Sequence, residues 1–217
     1  MSEEGQHSRY ISEEGTPFIL VCLVIAILAW LFGWEIPAIL FFCVTLFIVW
    51  FFRNPERKPP EKETLVVSPA DGRVIKIEEA SSEEIPGQTL RKISIFMTLF
   101  DVHVNRNPCS GQVEAIRYRE GKFFSANLDK ASELNERNTI VVKTAGDRKI
   151  VTIQIAGLVA RRIVWWIKEQ DAVKRGERFG MIRFGSRLEV FMPLDCPVLV
   201  KVGDKVRAGE TPIGELI

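Results

Sequence analysis

Between Phe18 and Phe52 the chain carries one charged residue, Glu35. A surface helix of a soluble domain needs a polar face, and neither half of this stretch has one. Phe18–Phe32 and Ile36–Phe52 form two apolar runs, separated by "GWEIP" at residues 33–37, which contains two turn-forming residues. One unbroken helix would be roughly 50 Å long, far more than a bilayer core of about 30 Å needs. Two helices of about 25 Å each fit better, as a hairpin that crosses twice or dips in and returns. The flank before the first run is acidic (Glu3, Glu4, Glu13, Glu14), and the apolar region is too long, so a cleaved signal peptide is disfavoured.

The basic residues suggest an orientation. "GWEIP" has no Lys or Arg, whereas Arg53, Arg57, Lys58 and Lys62 follow the second run at once. The positive-inside tendency places that flank in the cytoplasm and the chain at the cell membrane. With two crossings the polar tail, residues 1–17, is cytoplasmic too. Trp30, Trp34 and Trp50 lie near the run ends, where interfacial aromatics are favoured.

Residues 53–63, "RNPERKPPEKE", read as a polar linker. From residue 64 to 217 the pattern changes to short β-rich runs punctuated by Gly, Pro, Asn and Asp. These are "TLVVS", "DGRVIKIEE", "RKISIFMTLF", "GQVEAIRYRE", "NTIVVKT", "KIVTIQIAG", "RIVWWIK", "RFGMIRF", "RLEVFMP" and "PVLVKV". Only "SANLDKASELNER" looks helical or loop-like. The expected fold class is mostly β (α+β), a hairpin-rich, hybrid-barrel-like domain preceded by the hydrophobic helical hairpin at 18–52. A weak internal repeat links "AVKRGERFGMI" (172–182) to "LVKVGDKVRAGETPIGEL" (199–216), each a strand, a Gly-acidic turn and a second strand. Such turns are common in any β protein, so the repeat alone carries little.

Charge and cysteines exclude several classes. With 29 Lys+Arg against 28 Asp+Glu, the net charge of +1 gives no nucleic-acid footprint. Cys22, Cys43, Cys109 and Cys196 are not at metal or redox spacing, and no disulfide framework is expected. Zinc is disfavoured for want of ligands. There is no phosphate loop, and "RFGSRLE" lacks the second glycine of a hydrolase elbow.

Few residues remain to carry chemistry. His7 lies in the polar tail, leaving His103 in "FMTLFDVHVNRNPCSG" (96–111) as the one plausible imidazole acid or base. Asp101 shares a face with His103 if the strand continues. Asp71 in "SPADG" reads either as a turn aspartate or as a carboxylate that orients an imidazole or binds an amine. "ELNERN" (133–138) reads as solvated or capping. Gly185-Ser186 interrupts the strand-like "RFGSRLEVF" (183–191), through either a bulge or a chemical role for Ser186.

With Ser186 and His103 together, the chain resembles phosphatidylserine decarboxylase proenzymes of the short, membrane-anchored (type A-like) kind. The matching elements are "SPADGRV" (68–74), "FMTLFDVHVNRNPCSG" (96–111), "NERN" (135–138), "GLVARRIV" (157–164) and "RFGSRLEVFMP" (183–193). Each is weak alone, but their order is specific and spans roughly two-thirds of the chain. The resemblance implies self-cleavage between Gly185 and Ser186, with Ser186 becoming a covalent pyruvoyl cofactor. The products would be a β chain (1–185) and an α chain (186–217) that stay together as a heterodimer. The substrate implied is phosphatidylserine in a membrane, converted to phosphatidylethanolamine and carbon dioxide. Asp71 matches the acidic member of the family's processing triad, and His103 is the candidate for proton transfer. Long members carry a second histidine where this chain has Arg106, leaving His103 to serve both stages, or Arg106 to act electrostatically while another group is the base. An archaeal-type serine phospholipid fits the same residues. A membrane-tethered, non-catalytic hybrid-barrel scaffold is the alternative from another class. It predicts an uncut chain.

Overall fold

Gly33 ends the first apolar helix. Its φ of 75° lies in the left-handed region that favours glycine. The Gly33 N–H bonds to the Trp30 carbonyl (3.0 Å) and the Trp34 N–H to the Ala29 carbonyl (2.8 Å), the paired closure of a Schellman cap. In this computed structural model, which describes residues 10–125, 134–158, 162–183 and 186–216, that cap separates α1 (Thr16–Leu31) from α2 (Glu35–Phe51). Pro37 falls in the first turn of α2, where its missing N–H costs no helical bond. The buried residues of the pair are small or at its ends: Ala26, Ala29, Ala38, Thr45 and Phe51. Larger apolar side chains such as Leu20, Ile27, Trp30 and Ile36 face outward. Small residues inside and large apolar ones outside is the packing of helices whose solvent is lipid. Glu13–Leu31, with a one-turn 3-10 start, is 19 residues and is long and apolar enough to cross a membrane, whereas α2 is shorter.

The chain divides into two compact units, Met1–Glu56 and Arg57–Ile217. The second unit is built from strands, as the alternation of its sequence predicts. In order these are β1 (Leu65–Val67), β2 (Gly72–Ser82), β3 (Ile85–Met97), β4 (Val104–Arg106), β5 (Gly111–Arg119), β6 (Arg137–Lys143) and β7 (Lys149–Ala156). There follow β8 (Ile163–Trp165), β9 (Ala172–Val173), β10 (Arg178–Ile182), β11 (Ser186–Pro193), β12 (Lys205–Val206) and β13 (Pro212–Glu215). Among the described residues, eight form one antiparallel sheet in the order β12-β2-β3-β11-β7-β6-β5-β9, curled into a half-barrel. β4-β10-β8 and β1-β13 form smaller sheets. The main core lies on one face of the large sheet, with Ile95, Val142, Ile150, Leu188 and Val190 packed against Phe179 and Ile182 of β10.

Two local expectations change. "PVLVKV" forms no strand; it holds only a bridge from Val198 to Gly214. "RKISIFMTLF" stops at Met97, because Thr98–Asp101 closes a turn instead of extending the strand. "SANLDKASELNER" lies mostly outside the described residues. The internal repeat is realised as matched turns. The Glu177 N–H bonds to the Lys174 carbonyl (3.1 Å) while its carboxylate accepts the Lys174 N–H (2.8 Å). Asp204 and Lys201 repeat this at 3.1 and 2.9 Å. Each turn has a glycine at positive φ, Gly176 at 79° and Gly203 at 97°.

Candidate active site

Ser186 is the first residue of β11 and is fully buried. It is flanked across the ladder by Met97 at the end of β3 and Ala156 at the end of β7. Alternation sends Ser186 to the core face with Leu188 and Val190. Arg187 goes to the other face, where it is buried against the Glu189 carboxylate at 2.6 Å. The Ser186 hydroxyl donates to the Met97 Sδ at 3.3 Å, a thioether that accepts only weakly. Gly185 lies outside the described residues.

Behind Ser186 runs a chain of buried carboxamides that sequence reading did not single out. Asn138 donates to the Gln154 Oε1 (3.0 Å), Gln154 donates to the Asn105 Oδ1 (2.8 Å), and Asn105 Nδ2 lies 3.9 Å from the Met97 sulfur. All three are fully buried. Gly180 makes room for them: a Cβ there would stand 2.3 Å from the Val164 carbonyl oxygen and 3.3 Å from the Gln154 Nε2. A polar residue at an inward strand position was the available signal, since buried amides need partners. Asn135 is a second addition. Its side-chain NH₂ donates to the Ala156 carbonyl (2.7 Å) and to the Phe124 carbonyl (2.8 Å), holding the segment before β6 at the Ser186 end of the sheet.

His103 is fully buried in the connection between β3 and β4, and its carbonyl accepts the Ile182 N–H at 3.4 Å. Its Nδ1 is 2.9 Å from the Asp101 carbonyl oxygen. A carbonyl can only accept, so Nδ1 carries the hydrogen, and in the neutral form of the ring Nε2 is the basic nitrogen. Asp101 therefore orients the imidazole with its backbone. Its carboxylate points elsewhere, accepting the Thr98 N–H (2.8 Å) and hydroxyl (2.7 Å). The shared strand face expected for Asp101 and His103 does not form, because β3 has already ended.

Asp71 precedes Gly72, and the β2–β3 and β3–β11 registers bring Arg73, Phe96 and Arg187 onto one rung. Asp71 thus lies at the Ser186 end of the sheet but two strands away, roughly 10 Å across the ladder. Its carboxylate is ion-paired to Arg57 at 3.0 Å and accepts the Ala208 N–H at 2.8 Å. Arg57 also binds Glu210 at 2.8 Å. Gly72 is required here, since a Cβ would stand 2.2 Å from the Phe96 carbonyl oxygen. The Arg106 guanidinium is buried and donates to the Gly176 carbonyl at 2.7 Å, while its N–H bonds to the Pro69 carbonyl at 2.9 Å. Arg106 thereby ties β4 to the segment leading into Asp71. Cys109 is buried, and that burial pushes its thiol up to about 12, which makes it unreactive as a nucleophile.

Comparison with known proteins supplies what geometry cannot. The sequence profile of "Phosphatidylserine decarboxylase" matches residues 44–214. A phosphatidylserine decarboxylase proenzyme from Syntrophus aciditrophicus is 58% identical over 212 residues, covering 96% of this chain and 99% of that protein. Proteins of the same name from Desulfotalea psychrophila and Geobacter metallireducens are 45% and 47% identical, each over 95% of this chain and covering 97% and 96% of their own lengths. On matches of this extent, the chain belongs to the phosphatidylserine decarboxylase family.

Proposed function

We propose that this chain is a self-cleaving, pyruvoyl-dependent decarboxylase that converts phosphatidylserine to phosphatidylethanolamine and carbon dioxide at the cytoplasmic face of the cell membrane. The observation that carries the reading is the position of Ser186, buried at the first residue of a strand laddered on both sides. The residues fit a pyruvoyl group made in place. A cut ahead of Ser186 leaves every β11 pairing from Ser186 onward intact, so the new terminus stays anchored and dry.

Self-cleavage follows from this chain's own groups. The Ser186 hydroxyl attacks the Gly185 carbonyl and the peptide becomes an ester. A base removes the Ser186 α-proton, and the Gly185 carboxylate leaves. The dehydroalanine that remains takes up water and releases ammonia. His103, with hydrogen on Nδ1 and its basic Nε2, is the base we assign to this step, and the proton carrier in turnover. Arg106 is held as a structural cation, so it does not replace the second histidine of longer relatives. Asp71, paired with Arg57, contributes a fixed negative charge at this end of the sheet.

When present, a pyruvoyl carbonyl supplies the electron sink for the pair left behind by carbon dioxide. Burial of residue 186 keeps bulk solvent from that centre, which strengthens the electrostatics around it.

Intact mass under denaturing conditions tests the reading. The expected result is a fragment of 1–185 and one beginning at 186 that is lighter by one ammonia than simple hydrolysis would give. A single full-length mass from membrane-containing preparations would instead support the non-catalytic scaffold.

A further inference from the structure

Among the described residues, four connections meet at the Ser186 end of the large sheet, and three of them carry exposed apolar side chains. β3 runs out through Met97 into Thr98–Asp101, where Leu99 is 39% and Phe100 71% exposed. β7 runs out through Ala156 to Leu158, 64% exposed. β6 is entered from Leu134, 45% exposed, beside Asn135. The Met97–Ser186–Ala156 rung and the Ala156 N–H bond to the Glu136 carbonyl place these three connections beside one another. The fourth connection enters β2 at Asp71.

The apolar turn at 98–101 is built rather than loose. The Asp101 carboxylate takes the Thr98 N–H and hydroxyl, the Asp101 N–H bonds to the Thr98 carbonyl at 3.1 Å, and the Phe100 N–H bonds to the Thr98 hydroxyl at 3.3 Å. Leu99 and Phe100 occupy the two central positions, held out in water at a cost that burial elsewhere would remove. The turn joining β6 to β7, at the other end of β7, is polar, with Asp147 beside the Arg148–Asp195 pair.

Two further observations name the occupant. Exposed Lys122, whose N–H bonds to the Leu134 carbonyl, and exposed Arg162, just ahead of β8, put positive charge in these connections, a combination suited to an anionic lipid surface. Arg57, the first residue of this unit, is ion-paired to Asp71 and adds a further cation at the Ser186 end.

We propose that this end of the sheet is a membrane-docking surface, with Leu99, Phe100, Leu134 and Leu158 seated among the lipid head groups and upper acyl chains around the Ser186 site. The proposal rests on the decarboxylase reading. It adds that the substrate is taken directly from the bilayer by a face that enters it, in addition to the helical anchor.

The test is site-directed spin labelling of the full chain in vesicles of phosphatidylcholine with phosphatidylserine. Cys22→Ser and Cys43→Ser provide the background, and labels are placed through Phe100→Cys, Leu158→Cys and Leu194→Cys. Leu194 is the control: an exposed leucine (40%) beyond the far end of β11, roughly 23 Å along the strand from Ser186. Labels at 100 and 158 are expected to collide with oxygen and be shielded from a water-soluble nickel chelate, and the label at 194 to do the reverse. Labels at 100 and 158 as nickel-accessible as 194, on a chain that has cut itself and turns over, would overturn docking and leave the function standing. An uncut, inactive chain would sink the function instead, whatever the labels report. In the double variant Phe100→Ser/Leu158→Ser, self-cleavage reports folding. Its rate on vesicle phosphatidylserine relative to monomeric short-chain phosphatidylserine should fall about tenfold, as expected for two lost apolar side chains held partly in place by the anchor. An unchanged ratio would also overturn docking.

Discussion

Two groups of a single residue, Asp101, divide the work around His103. The Asp101 carbonyl fixes the imidazole tautomer, while the Asp101 carboxylate fixes the 98–101 turn. Asp101→Ala removes only the second function. It should lower stability by about 1–2 kcal/mol in thermal unfolding while self-cleavage persists. His103→Ala should block cleavage and, because the ring is fully buried, should also lower the unfolding temperature. Cleavage by the His103→Ala chain at the native rate would remove this residue from the base role. Ser186→Ala should give one uncut chain and reduce decarboxylation at least about a thousandfold, measured as carbon dioxide release. Ser186, His103 and Asp71, the residues on which the proposal rests, could be picked out singly because few others in the chain could carry such chemistry. Their surroundings were not. The Arg57 that binds Asp71 also reaches Glu210, 153 residues away in sequence, and no local pattern encodes such a pairing.

At the scale of elements, the registers matter more than the strands. Gly72 lets β2 approach β3 closely enough for the Asp71 segment to reach the Ser186 end. Gly72→Ala would drive its Cβ into a backbone oxygen. It should cost several kcal/mol in denaturant unfolding and slow cleavage. A stable, fast-cutting Gly72→Ala chain would show that this approach is dispensable. The buried amides of β4 and β7 form another coupled element. Asn105→Ala and Gln154→Ala should each cost about 1–3 kcal/mol, because each strands the other's polar group. The double variant should fall short of their sum, and strict additivity in the double-mutant cycle would deny the bond a cooperative role. Strands with alternating or continuous apolar runs were readable. "PVLVKV" was not, because it runs as a coil with a single bridge that packs Val198 and Val200 against the core and leaves Leu199 and Val202 exposed.

For the whole molecule, the cut proposed before Ser186 falls at the edge of a ladder and not within one. β11 keeps six pairings to β7 and eight to β3. Fragments 1–185 and 186–217 should therefore co-elute in mild detergent and separate only in denaturant. Separation on native gel filtration would mean the sheet does not hold the two chains together.

The sequence by itself determined the apolar helical pair and the change to a β domain after the polar linker, and it offered the one serine and one histidine to which the proposed chemistry is assigned. Those are properties of residue type and of periods of two or 3.6, which are written locally. Tertiary structure alone decided that Met97, Ser186 and Ala156 share a rung, that Asn138, Gln154 and Asn105 join behind them, and that the apolar tips of separate connections gather at one end. The reason is physical: cross-strand partners are chosen by burial and register over the whole sheet, among segments far apart in the chain.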